Sequence, residues 1–229
     1  MRMKVIGING SPRKKARNTL KLIQAVLNGA KEGGAKTEVV DICSLDIDFC
    51  TGCLSCFATG DCVYDDDVAS LLEKMKKADG IVLGYPVYID SVTAQLKRWI
   101  DRSANAMHCM MLLGKYGCTV STSGGFMEQE VVDYLNHVVT DFGIVSVGGV
   151  GIAMARGPEA FAAAVEKAHD LGQDLVLAIK KKKRFLEGEA RVQERKEFFK
   201  NWSPQTKTHG SSSMSYGWNA ERLNHKDTF

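Results

Sequence analysis

The chain has 229 residues, with 30 Lys plus Arg against 27 Asp plus Glu and a formal net charge of +3. That balance is too mild to predict a nucleic-acid partner. With 45% hydrophobic residues the chain can bury a full core, one domain with an appendage is expected rather than two, and no apolar run approaches the roughly 20 residues of a membrane span.

Taken in chain order, the hydrophobic pattern alternates between strand and helix. Lys4-Val-Ile-Gly-Ile-Asn9 is expected as a buried strand, followed by a helix from Thr19 to Gly33 with Leu20, Ile23, Ala25, Val26, Leu27 and Ala30 on its apolar face. Thr37 to Ile42 forms the second strand. Asp67 is expected to cap a helix reaching Ala78, and the continuous apolar run Gly80 to Gly84 is the third strand. A helix over Ser91 to Arg102, a strand over Gly117 to Ser121, a helix over Met127 to Phe142, a strand over Ile144 to Ile152 and a helix over Pro158 to Lys182 complete the series. The basic run Lys180 to Arg184 falls at the end of this last helix, where cations complement the dipole. Five strands, each followed by a helix, predict a parallel sheet covered on both faces by right-handed crossovers.

In an open sheet of order 2-1-3-4-5, ligands bind at the carboxyl ends of the strands, beside the switch point between strands 1 and 3. Three polar loops fall on that rim. The first, Gly10-Ser-Pro-Arg-Lys-Lys-Ala-Arg-Asn-Thr19, offers hydroxyls, an arginine and a helix N-terminus, which together suit a phosphate. It lacks the ending of a Walker A motif and the Gly-x-Gly-x-x-Gly fingerprint, and an ordinary loop capped by Asn18 or Thr19 is the alternative. The second, Gly84-Tyr-Pro-Val-Tyr-Ile-Asp-Ser91, sets a rigid proline and aromatics where a flat ring can lie. The third, Ser121-Thr-Ser-Gly-Gly-Phe126, has two glycines at which a ligand can approach the backbone. Turn chemistry alone also accounts for Pro86, Gly124 and Gly125. Together the loops describe one crevice with a phosphate pocket at one side and a ring-sized slot at the other.

Between the second strand and the following helix lies Cys50-Thr-Gly-Cys53-Leu-Ser-Cys56-Phe-Ala-Thr-Gly-Asp-Cys62, four of the seven cysteines of the chain. The spacing Cys-x2-Cys-x2-Cys-x5-Cys is similar to the compact run of bacterial ferredoxins, in which consecutive thiolates wrap one [4Fe-4S] cluster. Structural zinc more often uses two Cys-x2-4-Cys knuckles across a longer loop. Disulfides are disfavoured by the odd cysteine count and by the short apolar stretch of residues 1–9, which predicts no secretory signal and a reducing, cytoplasmic location. On spacing alone, cluster, reduced thiols, zinc and disulfide all stay open. Cys43, Cys109 and Cys118 lack ligand spacing and are expected as small buried hydrophobes. His108, His137, His169, His209 and His225 are scattered and are given no role.

Gly10-Ser-Pro-Arg13 with Asn18-Thr19, Pro86-Val-Tyr88 with Gln95-Leu-Lys97 and Ile100-Asp-Arg102, and Gly124-Gly125 carry a resemblance, covering about residues 3–180, to the flavodoxin-like NAD(P)H-dependent FMN reductases. The cysteine run with Asp65-Asp66-Asp67 is similar to the iron-sulfur flavoprotein branch of that superfamily. The resemblance implies a flavodoxin-like three-layer sandwich and an oxidoreductase. It also implies FMN bound through Gly10, Ser11, Arg13, Asn18 and Thr19 at its phosphate, with Pro86, Val87, Tyr88 and Ser91 along the ribityl chain and ring, and Ser123, Gly124 and Gly125 on the third side. In the cluster-bearing branch, cysteines at the positions of Cys50, Cys53, Cys56 and Cys62 ligate [4Fe-4S].

The expected organisation is therefore a flavodoxin-like FMN-binding domain over residues 1–184, with a cysteine-rich loop at 43–66, and a C-terminal extension over 185–229. In the extension, Glu187 to Lys200 suits a charged surface helix, and Trp202, Tyr216 and Trp218 suit anchoring in a homo-oligomer, a dimer or tetramer. The expected function is electron transfer between a reduced carrier, ferredoxin or NAD(P)H, and an acceptor. A cluster-free NAD(P)H-dependent FMN or quinone reductase is the alternative, and a zinc-stabilised, non-catalytic carrier or regulatory module the alternative of another class.

Overall fold

Parallel pairing organises the chain: a five-stranded sheet of order 2-1-3-4-5 has every neighbouring pair parallel, the flavodoxin-like arrangement. The computed structural model describes residues 3–13 and 17–185, with 189–190, 192–194 and 197–198 beyond them. The elements are β1 (Lys4–Asn9), α1 (Asn18–Glu32), β2 (Lys36–Asp41), α2 (Ser55–Thr59), α3 (Asp67–Lys76), β3 (Gly80–Pro86), α4 (Ala94–Arg102), α5 (Ala104–His108), β4 (Tyr116–Ser123), α6 (Glu128–Asp141), β5 (Val145–Ala153) and α7 (Pro158–Lys181). Short 3-10 turns at Ile42–Ser44 and Met154–Arg156 follow β2 and β5. Trp202, Tyr216 and Trp218, expected as anchors, lie outside the described residues. Among the described residues, no helix is long and apolar enough to cross a membrane.

Because side chains alternate across a strand, the two faces of the sheet collect different helices. One face joins Ile6, Ile8, Ile81, Leu83 and Tyr85 to Leu71 and Met75 of α3, Leu96 and Trp99 of α4, and Leu135 and Phe142 of α6. Trp99 stacks on Phe142 with ring centroids 5.4 Å apart. The opposite face joins Val5, Val82, Cys118 and Val120 to Leu22, Ile23 and Val26 of α1 and to Leu175 and Val176 of α7. The apolar face of α1 is rotated slightly from its expected position: Leu22 is fully buried and Leu20 only partly.

Several boundaries differ from expectation for identifiable reasons. The cap of α3 is Asp66, whose carboxylate accepts from Val68 N at 3.1 Å; Asp67 instead accepts from Asp46 N at 2.8 Å and ties down the preceding loop. Neither Asn18 nor Thr19 caps α1, which Arg17 precedes without a side-chain cap. The helix expected from Ser91 starts at Ala94 with Thr93 as its cap, because residues 88–91 close a tight turn in which Ile89 and Asp90 are left-handed. Strand β3 runs on to Pro86, since Tyr85 and Pro86 still find partners in Ser121 and Thr122. The short helices α2 and α5 lie where no helical period was legible. Of the three cysteines expected to be buried, only Cys118 is; Cys43 and Cys109 are half-exposed.

Helices α1 and α7 approach so closely that two glycines become obligatory. A Cβ on Gly172 would lie 1.9 Å from the carbonyl oxygen of Val26, and one on Gly29 would lie 2.0 Å from that of His169. Backbone cannot rotate away as a side chain can, so a methyl group here separates the helices. Gly172→Ala is expected to destabilise the protein by about 1–3 kcal/mol, read as a lower denaturation midpoint with an unchanged slope.

Candidate functional site

At the carboxyl ends of β1, β3 and β4 a crevice of about 480 Å³, including its open mouth, is lined by Ser11, Arg13, Asn18, Thr19, Pro86, Val87, Tyr88, Thr122, Ser123, Gly124 and Met154. Three sequence-distant loops meet here because their strands are neighbours, and backbone bonds fasten them together. Gly10 N donates to Gly84 O at 3.0 Å, and Val87 N to Thr122 O at 2.8 Å. The Thr93 hydroxyl donates to Gly10 O at 3.0 Å while capping α4, which ties the start of the first loop to the end of the second.

Nine of the twelve residues singled out for a cofactor therefore line one space. The other three stand beside it. Gly10 packs against the buried Tyr85 ring, which a Cβ would meet at 1.6 Å. Ser91 is exposed and exchanges backbone bonds with Tyr88, shaping the second loop. Gly125 is exposed next to Gly124.

The polar groups are arranged at the opening of α1. Thr19 and Thr122 share a hydrogen bond of 2.6 Å between their hydroxyls, and the Asn18 amide reaches the Met154 sulfur at 3.5 Å. Arg13 is exposed and makes no ion pair with a described residue, whereas Arg17 is held to Asp41 at the end of β2, at 2.9 Å. The first-turn N–H groups of α1 have no intrahelical partner, so this end of the crevice carries positive potential suited to a phosphate. On the third side, Ser123 donates to the buried Glu128 at 2.9 Å, and Glu128 pairs with Arg156 at 2.8 Å. Open space lies over Gly124 and Gly125, where a Cβ would meet nothing within 4 Å. An elongated ligand with an anionic end and a flat ring fits this lining. Thr122 and Met154 were missed by sequence reasoning: Thr122 sat unremarked inside the third loop, and no sequence signal pointed to Met154 across the sheet.

The cysteine loop leaves β2 on the same rim. Cys50 and Cys53 are exposed, Cys56 and Cys62 half-buried, and none is in a disulfide. Left-handed residues Gly52, Leu54 and Gly60 curl the loop around the short helix α2. Gly52 N donates to Cys50 Sγ at 3.4 Å, and Arg102 Nη2 to Cys62 Sγ at 3.3 Å. Burial, and then the charges of Cys62, Cys50 and Cys53, push the Cys56 thiol up. Hydrogen bonds from Ser55 bring the Cys53 thiol down. Among the described residues, no three His, Cys, Asp or Glu side chains are gathered in metal-holding geometry. As a donor set, four free thiols on one loop suit a soft iron-sulfur centre. Cys43, lower in the loop, is a different case: burial and the Asp41 charge raise its thiol to about 11, so it stays protonated.

Comparison with known proteins accords with this geometry. The family described as NADPH-dependent FMN reductase matches residues 3–159. An iron-sulfur flavoprotein of Archaeoglobus fulgidus is 39% identical over 184 residues, covering 80% of this chain and 83% of the relative. An iron-sulfur flavoprotein of Methanocaldococcus jannaschii is 35% identical, covering 78% and 98%. In fold, the chain is similar to an NAD(P)H:quinone oxidoreductase from Methanothermobacter marburgensis, with a TM-score of 0.62, 17% identity, and 76% and 98% of the two chains covered. The chain thus belongs to the NADPH-dependent FMN reductase family of oxidoreductases, in its iron-sulfur flavoprotein branch.

Proposed function

We propose that this chain is a two-centre redox protein. It holds FMN in the crevice and a [4Fe-4S] cluster on Cys50, Cys53, Cys56 and Cys62, and it moves electrons between a reduced carrier, ferredoxin or NAD(P)H, and an acceptor. The observation that carries this reading is the convergence of the three crevice loops and the cysteine loop on one rim of the sheet. FMN supplies exchange between two-electron and one-electron chemistry, and a cluster supplies one-electron relay.

The residues of the chain then divide the work. Ser11, Arg13, Asn18 and Thr19 bind the phosphate at the head of α1, with Gly10 holding the turn in place. Pro86, Val87 and Tyr88 support the ribityl chain and one side of the ring, and the turn closed by Ser91 sets their direction. Ser123, Gly124 and Gly125 border the remaining side, with Glu128 orienting the Ser123 hydroxyl. No side chain is asked to act as acid, base or nucleophile. The exposed Phe49, Leu54, Val63, Ile89 and Phe126 around this rim suit burial in a homo-oligomer, a dimer or tetramer.

Protein prepared without oxygen is expected to contain about four iron and about four acid-labile sulfide per chain, with flavin alongside. Cys53→Ser should lose most of the iron while keeping the flavin; flavin with no iron in the unaltered protein would leave the cluster-free reductase as the reading. Gly124→Val tests the crevice separately. Because the added side chain enters open space, stability should change by less than about 0.5 kcal/mol, while FMN affinity, measured by quenching of flavin fluorescence, should fall at least tenfold.

A further inference from the structure

The Arg102 side chain is 1% exposed and its partner Asp66 5% exposed, so a full guanidinium and a carboxylate are buried at the base of the cysteine loop. Nη1 donates to Asp66 and, at 2.9 Å, to the carbonyl oxygen of Asp48. Nη2 is turned the other way, to Cys62 Sγ, and the guanidinium plane lies 4.5 Å over the Tyr64 ring. Residues of α5 continue the contact with the loop. The Asn105 amide donates to Gly60 O at 2.9 Å, and the His108 ring sits 4.2 Å from the Phe57 ring. Further hydrogen bonds to these sulfurs come from within the loop, from Gly52 to Cys50, from Thr51, Cys53 and Ser55 to Cys53, and from the Cys56 backbone to its own sulfur. The bond to Cys62 comes from the body of the domain.

A buried ion pair alone needs no sulfur partner. With Asp66 already offsetting the arginine charge, the second nitrogen directed at Cys62 calls for its own account. A donor of this kind holds a sulfur in place and, when that sulfur is a cluster ligand, favours the more negative, reduced state; hydrogen bonds to sulfur are among the factors that set cluster potentials.

We infer that Arg102 is a positioning residue for the redox loop: it fixes the Cys62 sulfur to the domain body and raises the reduction potential of the centre that sulfur ligates. The second half rests on the cluster reading above; the first half does not. The test compares the full-length protein with Arg102→Gln and Arg102→Lys, and with Arg102→Gln combined with Asp66→Asn, which removes both buried charges should the single change prevent folding.

In the loaded protein, Arg102→Gln is expected to lower the cluster midpoint on the order of tenfold in the reduction equilibrium, about 59 mV for one electron, with Arg102→Lys restoring part of the shift and the flavin midpoint unmoved. An unchanged cluster midpoint at full iron content overturns the tuning role. In metal-free, reduced protein, Cys62 is alkylated with anionic iodoacetate or neutral iodoacetamide and quantified by peptide mass. Both reagents attack the thiolate, so the ratio of their rates cancels the ionised fraction and reports local charge. That ratio should drop several-fold in Arg102→Gln at Cys62 and stay constant at Cys53; an equal ratio at Cys62 overturns the contact. Iron-free wild-type protein would refute the cluster reading and the tuning role with it, and the alkylation ratio would then decide the positioning role by itself.

Discussion

Parallel pairing of β1 with both β2 and β3 sets Asn9 beside Asp41 and Gly84, and the pairing of β3 with β4 sets Tyr85 and Pro86 beside Ser121 and Thr122. Everything functional in this chain follows from that register. Strands that run the same way must all end on the same edge, so the four loops leaving β1, β2, β3 and β4 open onto one rim although up to about a hundred residues separate them in sequence. The order change at β1 and β3 then leaves a gap between loops that diverge toward opposite faces of the sheet. Small contacts keep this gap from closing: Thr93 on Gly10, Val87 on Thr122, and Arg17 on Asp41.

The two ends of the rim are built on different physics. The crevice is lined by neutral hydroxyls, an amide, backbone N–H groups and Arg13, which makes no ion pair with a described residue, a lining that attracts an anion. The cysteine loop is tied down at its base by a buried ion pair. Removing one partner of such a pair leaves the other uncompensated, at a cost of about 3–5 kcal/mol. Burial pushes the Asp66 carboxyl up, but the Arg102 hydrogen bond and the amides of Asp48 and Val68 outweigh it and hold the group below the usual carboxylate range. One carboxylate therefore caps α3, secures the loop at Asp48 and balances Arg102.

Glycines illustrate how one residue type serves opposed ends. Gly29 and Gly172 exist to let two helices touch, and Gly10 to admit the Tyr85 ring. Gly124 and Gly125 face empty space. Composition cannot separate these cases, since each is a glycine in a turn or a helix until the neighbouring element is in place.

By itself the sequence determined the strands, the longer helices and the loops that meet on one rim. Strand runs such as Lys4 to Asn9 and Gly80 to Gly84 are apolar on both sides, and alternation with helical periods leaves few topologies open. Residue chemistry likewise marked Ser11, Arg13, Asn18 and Thr19, and the four crowded cysteines. Tertiary structure alone decided which groups meet. Thr122 and Met154 join the crevice across the sheet, Asp66 rather than its neighbour caps α3, and Arg102, forty residues beyond Cys62, becomes the donor to its sulfur. Periodicity and propensity are local properties of the chain, whereas a hydrogen bond between distant residues is fixed by the packing of whole elements, and no local pattern records it.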